Sequence, residues 1–221
     1  MLIIFDCDGV LVDSEILAAR ELQRYLKDIA FPVQISEGSH EQFLGLTLKT
    51  IRENLEAAAN CKLPKDFEDE LRRRDKIVFE KYLQPVPGIL EAMASMEISK
   101  CVASSGSQAK IRTSLALTGL LDWFAPYVFS AEDPDVKRGK PAPDLFQNAA
   151  MKMGFSPNQC IVVEDSIAGV TAGLAARMYT IGFTGGSHCS VGHGEKLRLA
   201  GAHKVIAHMK SLPPIVNIKI N

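Results

Sequence analysis

The sequence predicts a doubly wound parallel α/β sheet interrupted near its start by a helical insert. Three observations lead there. An apolar run, Met1–Phe5, opens the chain and ends at Asp6-Cys7-Asp8-Gly9. From residue 98 onward, short apolar runs alternate with helical stretches, the pattern of strands joined by helical crossovers. Between these two parts, residues 15–85 hold helical periodicity and almost no strand signal.

The elements follow in order. Leu2-Ile3-Ile4-Phe5 reads as a strand buried on both faces, since a continuous apolar run leaves no polar side for solvent. An amphipathic helix runs from Ser14 to Ile29, with Ile16, Ala19, Leu22, Leu26 and Ile29 on one face. Ser14 is its expected N-cap, and Glu15 suits the first turn. Further helices are expected over Leu48–Ala59 and Asp66–Leu83. Pro85-Val86-Pro87-Gly88 then closes the insert as stiff, hinge-like punctuation. Strands are expected at Ile98–Ser104, Tyr127–Ser130, Cys160–Glu164, Tyr179–Gly182 and Lys204–Ala207. Helices are expected near Gln108–Leu117, Pro143–Met153 and Ile167–Ala176.

A chain of 221 residues has room for one full α/β domain and a smaller accessory one. The formal charge of −1 leaves no basic surplus with which to neutralise nucleic-acid phosphates. Arg72-Arg73-Arg74 sits among acids and reads as a solvated helix face. No run approaches the length of a membrane span, and no basic leader precedes Leu2. The five cysteines form no CxxC pair, and three lie in apolar stretches, which favours a reducing, cytoplasmic setting.

Open α/β sheets bind ligands at the carboxyl ends of their strands. Here those ends carry Asp6 and Asp8, then Ser104-Ser105-Gly106-Ser107, then Lys140 in Lys137-Arg138-Gly139-Lys140-Pro141, then Glu164-Asp165-Ser166. Carboxylates, a hydroxyl and a lysine at one rim point to a metal and an anion bound together. Magnesium suits such a set, because it takes one or two protein carboxylates beside substrate phosphate. Asp6 and Asp165 are the candidate carboxylates, with the Asp8 carbonyl as a further oxygen.

Asp6-Cys7-Asp8-Gly9-Val10-Leu11 resembles the first motif of the haloacid dehalogenase-like superfamily, Asp-x-Asp-Gly-x-Leu/Thr. The resemblance continues in order through Ser104 after an apolar strand, Lys140 in Gly-Lys-Pro-Ala-Pro-Asp, and Glu164-Asp165 in Val-Val-Glu-Asp-Ser-Ile-Ala-Gly. It implies a Rossmann-like core from residues 1–14 and 87–221, with the strands ending at Ser104 and Glu164 flanking the first. Residues 15–86 would form a helical cap domain, as in the sugar-phosphatase and phosphoglucomutase branch. Asp6 would be the nucleophile and Asp8 the general acid and base. Ser104, with Ser105 and Gly106, would bind the phosphoryl group, and Lys140 would hold Asp6 and a phosphate oxygen. Asp6, Asp8, Glu164 and Asp165 would hold Mg²⁺. The implied activity is magnesium-dependent hydrolysis of a small phosphomonoester, such as a sugar phosphate, by a monomer or weak homodimer. Neither nucleic acid nor a membrane is an expected partner.

Two alternatives stay open, a sugar phosphomutase and a non-catalytic binding relic. In the β-phosphoglucomutases, a histidine and a cap arginine stand where this chain has Ala18 and, after Gly45-Leu46-Thr47, Leu48. That departure favours the hydrolase, although Lys49 adjoins Leu48. The presence of Asp8 counts against the dehalogenase and phosphonatase branches. Cys7 should point into the core. His188, Cys189 and His193 suggest zinc, but no fourth ligand follows at a usual spacing, so Gly182–Gly194 reads as a solvated loop.

Overall fold

The computed structural model describes residues 1–33, 43 and 46–220, without the side chains of the last two. Gly45, which entered the comparison with mutases, lies outside the described residues. Six strands form one sheet: β1 (Leu2–Phe5), β2 (Ser99–Ser104), β3 (Val128–Ser130), β4 (Cys160–Glu164), β5 (Tyr179–Phe183) and β6 (Lys204–Ile206). Their order is β3-β2-β1-β4-β5-β6, and every pairing is parallel. The first strand therefore lies between the two expected to flank it.

Side chains alternate across a strand, and β1 uses both faces. Ile3 and Phe5 join an apolar cluster with the helices α4 (Ile89–Ala94), α5 (Gln108–Leu117), α6 (Leu121–Phe124) and α10 (Leu212–Ile220). Leu2 and Ile4 pack the other way, against α7 (Asp144–Met153) and α8 (Ile167–Ala175). All four side chains are fully buried. Burying each contributes about 1.5–3 kcal/mol, so this strand anchors the three-layer core. Cys7 continues the alternation into the apolar interior, as expected, and burial pushes its thiol pKa well up. The short α4 and α6, the C-terminal α10 and α9 (His193–Leu199) have no counterpart among the expected helices.

Three helices leave this body after β1. α1 (Glu15–Asp28), α2 (Leu48–Ala59) and α3 (Phe67–Tyr82) enclose their own apolar cluster, with Leu22, Tyr25, Leu26, Ile51, Leu55, Phe67 and Leu71 at its centre. The C-terminal part of α3 returns to the main core through Phe79, followed by Leu83. The chain segments entering and leaving the three helices run side by side. Asp13 N–H donates to the Gln84 carbonyl, and Val86 N–H to that of Leu11. The arginines of α3 sit in surface ion pairs, Arg72 with Glu68, Arg73 with Glu70, and the half-buried Arg74 with Glu70 and Asp28. Such pairs add little stability. Among the described residues, no helix is long and apolar enough to cross a membrane.

Candidate active site

The carboxyl ends of β1, β2 and β4 meet at the centre of the sheet, so residues far apart in sequence converge there. Asp6 follows β1 directly and is held in register when its N–H donates to the Val163 carbonyl. Lys140, in the loop between β3 and α7, reaches across with Nζ 2.5 Å from Asp6 Oδ1 and 2.5 Å from Glu164 Oε1. Its side chain is 2% exposed. Burial alone would make that amine easier to deprotonate, but the charges of Asp6 and Glu164 outweigh burial and raise its pKa.

Glu164, expected as a metal ligand, is also bound on both oxygens by the protein. Oε1 takes Lys140, while Oε2 accepts hydrogen bonds from the backbone and hydroxyl of Ser166, so both oxygens are engaged. Asp6, Glu164 and Asp165 nonetheless place carboxylate oxygens within 4.8 Å of one another. Burial pushes the pKa of Asp6 well above its usual range, with Lys140 opposing and the other acids adding to the shift. Burial and Glu164 do the same to Asp165. One lysine does not balance this set, and a divalent cation fits it chemically.

The second acid is held quite differently. Asp8 accepts from Ser14 Oγ at 2.5 Å and from Lys110 Nζ at 2.9 Å. Burial would raise its pKa, but the Lys110 charge and these hydrogen bonds prevail and lower it. Ser14 thus stands at the N-cap position of α1 without making a capping bond, because its hydroxyl goes to Asp8. Lys110 was not among the expected site residues. It sits in the first turn of α5, six positions after Ser104, where that helix rises from the rim. The signal lay in that proximity, since the helix periodicity gave only a polar surface position.

Gly9 closes the first motif at φ +76°. A Cβ there would stand 2.0 Å from Asp165 Oδ2, so only glycine lets the β1 turn approach the acid of β4. Ser104, buried at the end of β2, accepts from Gly106 N–H at 3.2 Å. Ser105 and Gly106 lead into α5, and Ser107 caps it by accepting from Lys110 N–H.

These groups open into a cavity of about 690 Å³ between the rim and the three inserted helices. Asp6, Asp8, Ser104, Lys110, Lys140 and Asp165 line its floor. Its roof includes Ala18, Leu48, Lys49, Arg72 and Asp75, whereas Arg73 and Arg74 are not among the lining residues. Burial pushes the Asp75 carboxyl up to about 7 against the pull of Lys110.

Glu15 borders the same cavity, and burial with the charges of Asp8 and Asp165 pushes its carboxyl up to about 8. The unfolded chain loses this proton near the ordinary value of 4.5, the folded chain only near 8. Across that window the folded state binds more protons, so stability falls as pH rises. Without metal, Glu15→Gln should raise the melting temperature at about pH 9 and leave it nearly unchanged near pH 4. An equal rise at both values would contradict this account.

The loop after β5 is not the solvated segment expected. His188 and His193 are 1% and 3% exposed, with Cys189 half-buried between them. His188 Nε2 lies 2.8 Å from Asp165 Oδ2, and His193 Nε2 lies 2.6 Å from the Asp165 carbonyl oxygen.

The chain resembles characterised proteins over most of its length. The phosphorylated carbohydrates phosphatase of Thermotoga maritima is 30% identical over 90% of this chain and 91% of its own. The 6-phosphogluconate phosphatase of Escherichia coli is 28% identical over 84% and 83%. The crystal structure of a haloacid dehalogenase-like protein of unknown function from Agrobacterium tumefaciens is 37% identical and matches with a TM-score of 0.87, covering 100% of this chain and 99% of that one. The model of the haloacid dehalogenase-like hydrolases matches residues 3–183, from β1 to the end of β5. With the four motif segments gathered on one parallel sheet, the chain belongs to the haloacid dehalogenase-like hydrolase family.

Proposed function

We propose that this hydrolase releases phosphate from a small phosphomonoester through an aspartyl-phosphate on Asp6. The observation that carries this reading is the unlike holding of the two acids. Asp6 is tied to Lys140 beside other carboxylates, and Asp8 stands two residues on, held by Ser14 and Lys110. In the first half-reaction an Asp6 oxygen attacks phosphorus while protonated Asp8 gives its proton to the departing ester oxygen. In the second, Asp8 takes a proton from water, the water oxygen attacks phosphorus, and the bond to Asp6 breaks. Asp8 ends protonated, gives up that proton once phosphate departs, and takes one up again when the next ester binds.

Lys110 keeps Asp8 ionised before substrate arrives, and the negative charge of a bound phosphate raises its proton affinity. Ser104 and the amides of Ser105 and Gly106 are placed to bind phosphoryl oxygens, and Lys140 neutralises charge on Asp6 and the transferring group. We assign the metal to the carboxylates of Asp6 and Asp165 with the Asp8 carbonyl, and Glu164 to anchoring Lys140. Magnesium bound there would supply charge neutralisation for the phosphoryl oxygens.

Residues 15–86 are proposed to act as a cap domain that admits substrate and then excludes water, turning about the paired segments at Asp13 and Gln84. A cavity of this size suits a sugar phosphate, and the names of the relatives support that class. The five cysteines, none of them in a disulfide, fit a reducing cytoplasm. A panel of phosphate esters assayed with magnesium should show release of inorganic phosphate. Chelation should abolish it and added magnesium restore it. Full activity in chelator would refute the metal assignment, and silence across the panel would refute the phosphatase.

The mutase is the second reading, because the core chemistry is shared. A mutase must grip a second phosphate from the cap, yet Ala18 and Leu48 present apolar side chains where the mutases have a histidine and an arginine, which leaves Lys49 and Arg72 among the cations of the roof. With a hexose 1-phosphate and a bisphosphate primer, inorganic phosphate should accumulate well ahead of isomerised sugar phosphate. The reverse ratio would favour the mutase.

A further inference from the structure

The second cluster of metal-ligating side chains lies behind Asp165, on the loop after β5. That loop is tied to the β1 turn by Asp13, which accepts from the Ser187 backbone N–H at 2.9 Å and from its hydroxyl. The His188 ring fills a slot between two glycines. A Cβ on Gly9 or on Gly186 would come within 2.7 Å of its Cε1. One nitrogen of His188, one of His193 and the Cys189 sulfur all lie within 4.8 Å of one another. Among the described residues, His193 Nδ1 is buried with no hydrogen-bond partner. Its Nε2 donates to the Asp165 carbonyl, which leaves Nδ1 a buried lone pair.

A fourth ligand, which spacing along the chain does not provide, is in reach just after β4, where Asp165 stands outside the group of three and next to His188. Asp165 Oδ2 is 2.8 Å from His188 Nε2, and Cys189 Sγ is 3.3 Å from that same nitrogen. Neighbouring ligand atoms in a tetrahedral zinc shell stand roughly 3.3–3.8 Å apart, so small side-chain rotations complete it. Two imidazoles, a thiolate and one carboxylate oxygen suit zinc and are a poor set for magnesium.

We propose that His188, Cys189 and His193, with Asp165, form an inhibitory site for zinc or a similar borderline-soft divalent ion. Inhibition rests on the assignment of Asp165 to the magnesium centre, because zinc draws that carboxylate away from it. Zinc binding itself does not rest on that assignment. Binding displaces the thiol proton and leaves each ligating nitrogen unprotonated.

Cobalt(II) reports the thiolate directly. Added to metal-free protein without substrate, it should produce a thiolate-to-cobalt charge-transfer band. That band should vanish in Cys189→Ser and persist in Cys61→Ser, which removes an exposed thiol. In the magnesium-supported assay, zinc should inhibit the parent protein, and Cys189→Ser should need at least about tenfold more. Cys189→Ser without zinc should turn over normally. Absence of the band in the parent, or its loss only in Cys61→Ser, would overturn the site. Equal inhibition of the parent and Cys189→Ser would place zinc at the magnesium centre and overturn its inhibitory role. The spectrum needs no turnover, so it stands apart from any failure of the phosphatase reading.

Discussion

Asp6→Asn should abolish phosphate release, by on the order of 10⁴-fold or more, with no phosphoenzyme trapped on acid quench. The asparagine keeps the shape of the side chain and removes the nucleophilic charge. Lys140 keeps its second partner, Glu164 Oε1 at 2.5 Å, so the buried amine is not stranded. Burial, with the neighbouring acids adding to it, already works against the Asp6 charge, so neutralising it without metal should leave the melting temperature unchanged or higher. Lost activity with retained folding is therefore the expected pair of results. A labelled phosphoenzyme in Asp6→Asn, or turnover within about tenfold of the parent, would remove Asp6 as the nucleophile.

The second large effect is expected at Asp8. Asp8→Ala should slow hydrolysis of alkyl phosphate esters by roughly 10²–10⁴-fold, the usual worth of a general acid–base group. With a nitrophenyl ester the leaving oxygen needs little protonation, so the loss should shrink. Lys110 then has Glu15 and Asp75 as its remaining acidic neighbours, and loss of the Asp8 charge, which raises both their pKa values, favours their ionised forms beside it. Asp8→Asn should behave alike, because it preserves shape without a transferable proton. Equal losses on good and poor leaving groups would assign Asp8 to holding Lys110 in place instead of moving a proton.

These variants target residues that local pattern revealed well. Each expected strand is present, because continuous apolar runs leave little choice in a sheet covered on both faces. Ser104, Lys140 and Asp165 stood at strand ends or just beyond them, where such sheets place their ligands. What local pattern missed, Lys110, or set aside, His188 and His193, depends on tertiary approach. Lys110 is one polar residue on a helix until that helix is set beside β1. His188 and His193 lie among glycines that locally suggest solvent. In the fold those glycines provide the slot that the His188 ring enters. Ser14 kept its expected place and took a different partner, because a carboxylate competes strongly for a hydroxyl proton.

The central position of β1 also sets a problem for synthesis. Leu2 through Phe5 leave the ribosome well before their partners, which span Ser99–Val102 on one side and Cys160–Val163 on the other. At about 5–20 residues per second, the second partner follows roughly 10–30 s later. For all that time the nascent chain carries a wholly apolar strand with at least one unpaired edge. Such an edge invites pairing with other chains. Slower translation should lengthen this exposure, and a chaperone that shields β1 during synthesis should raise the yield of folded protein more than one acting on the finished chain.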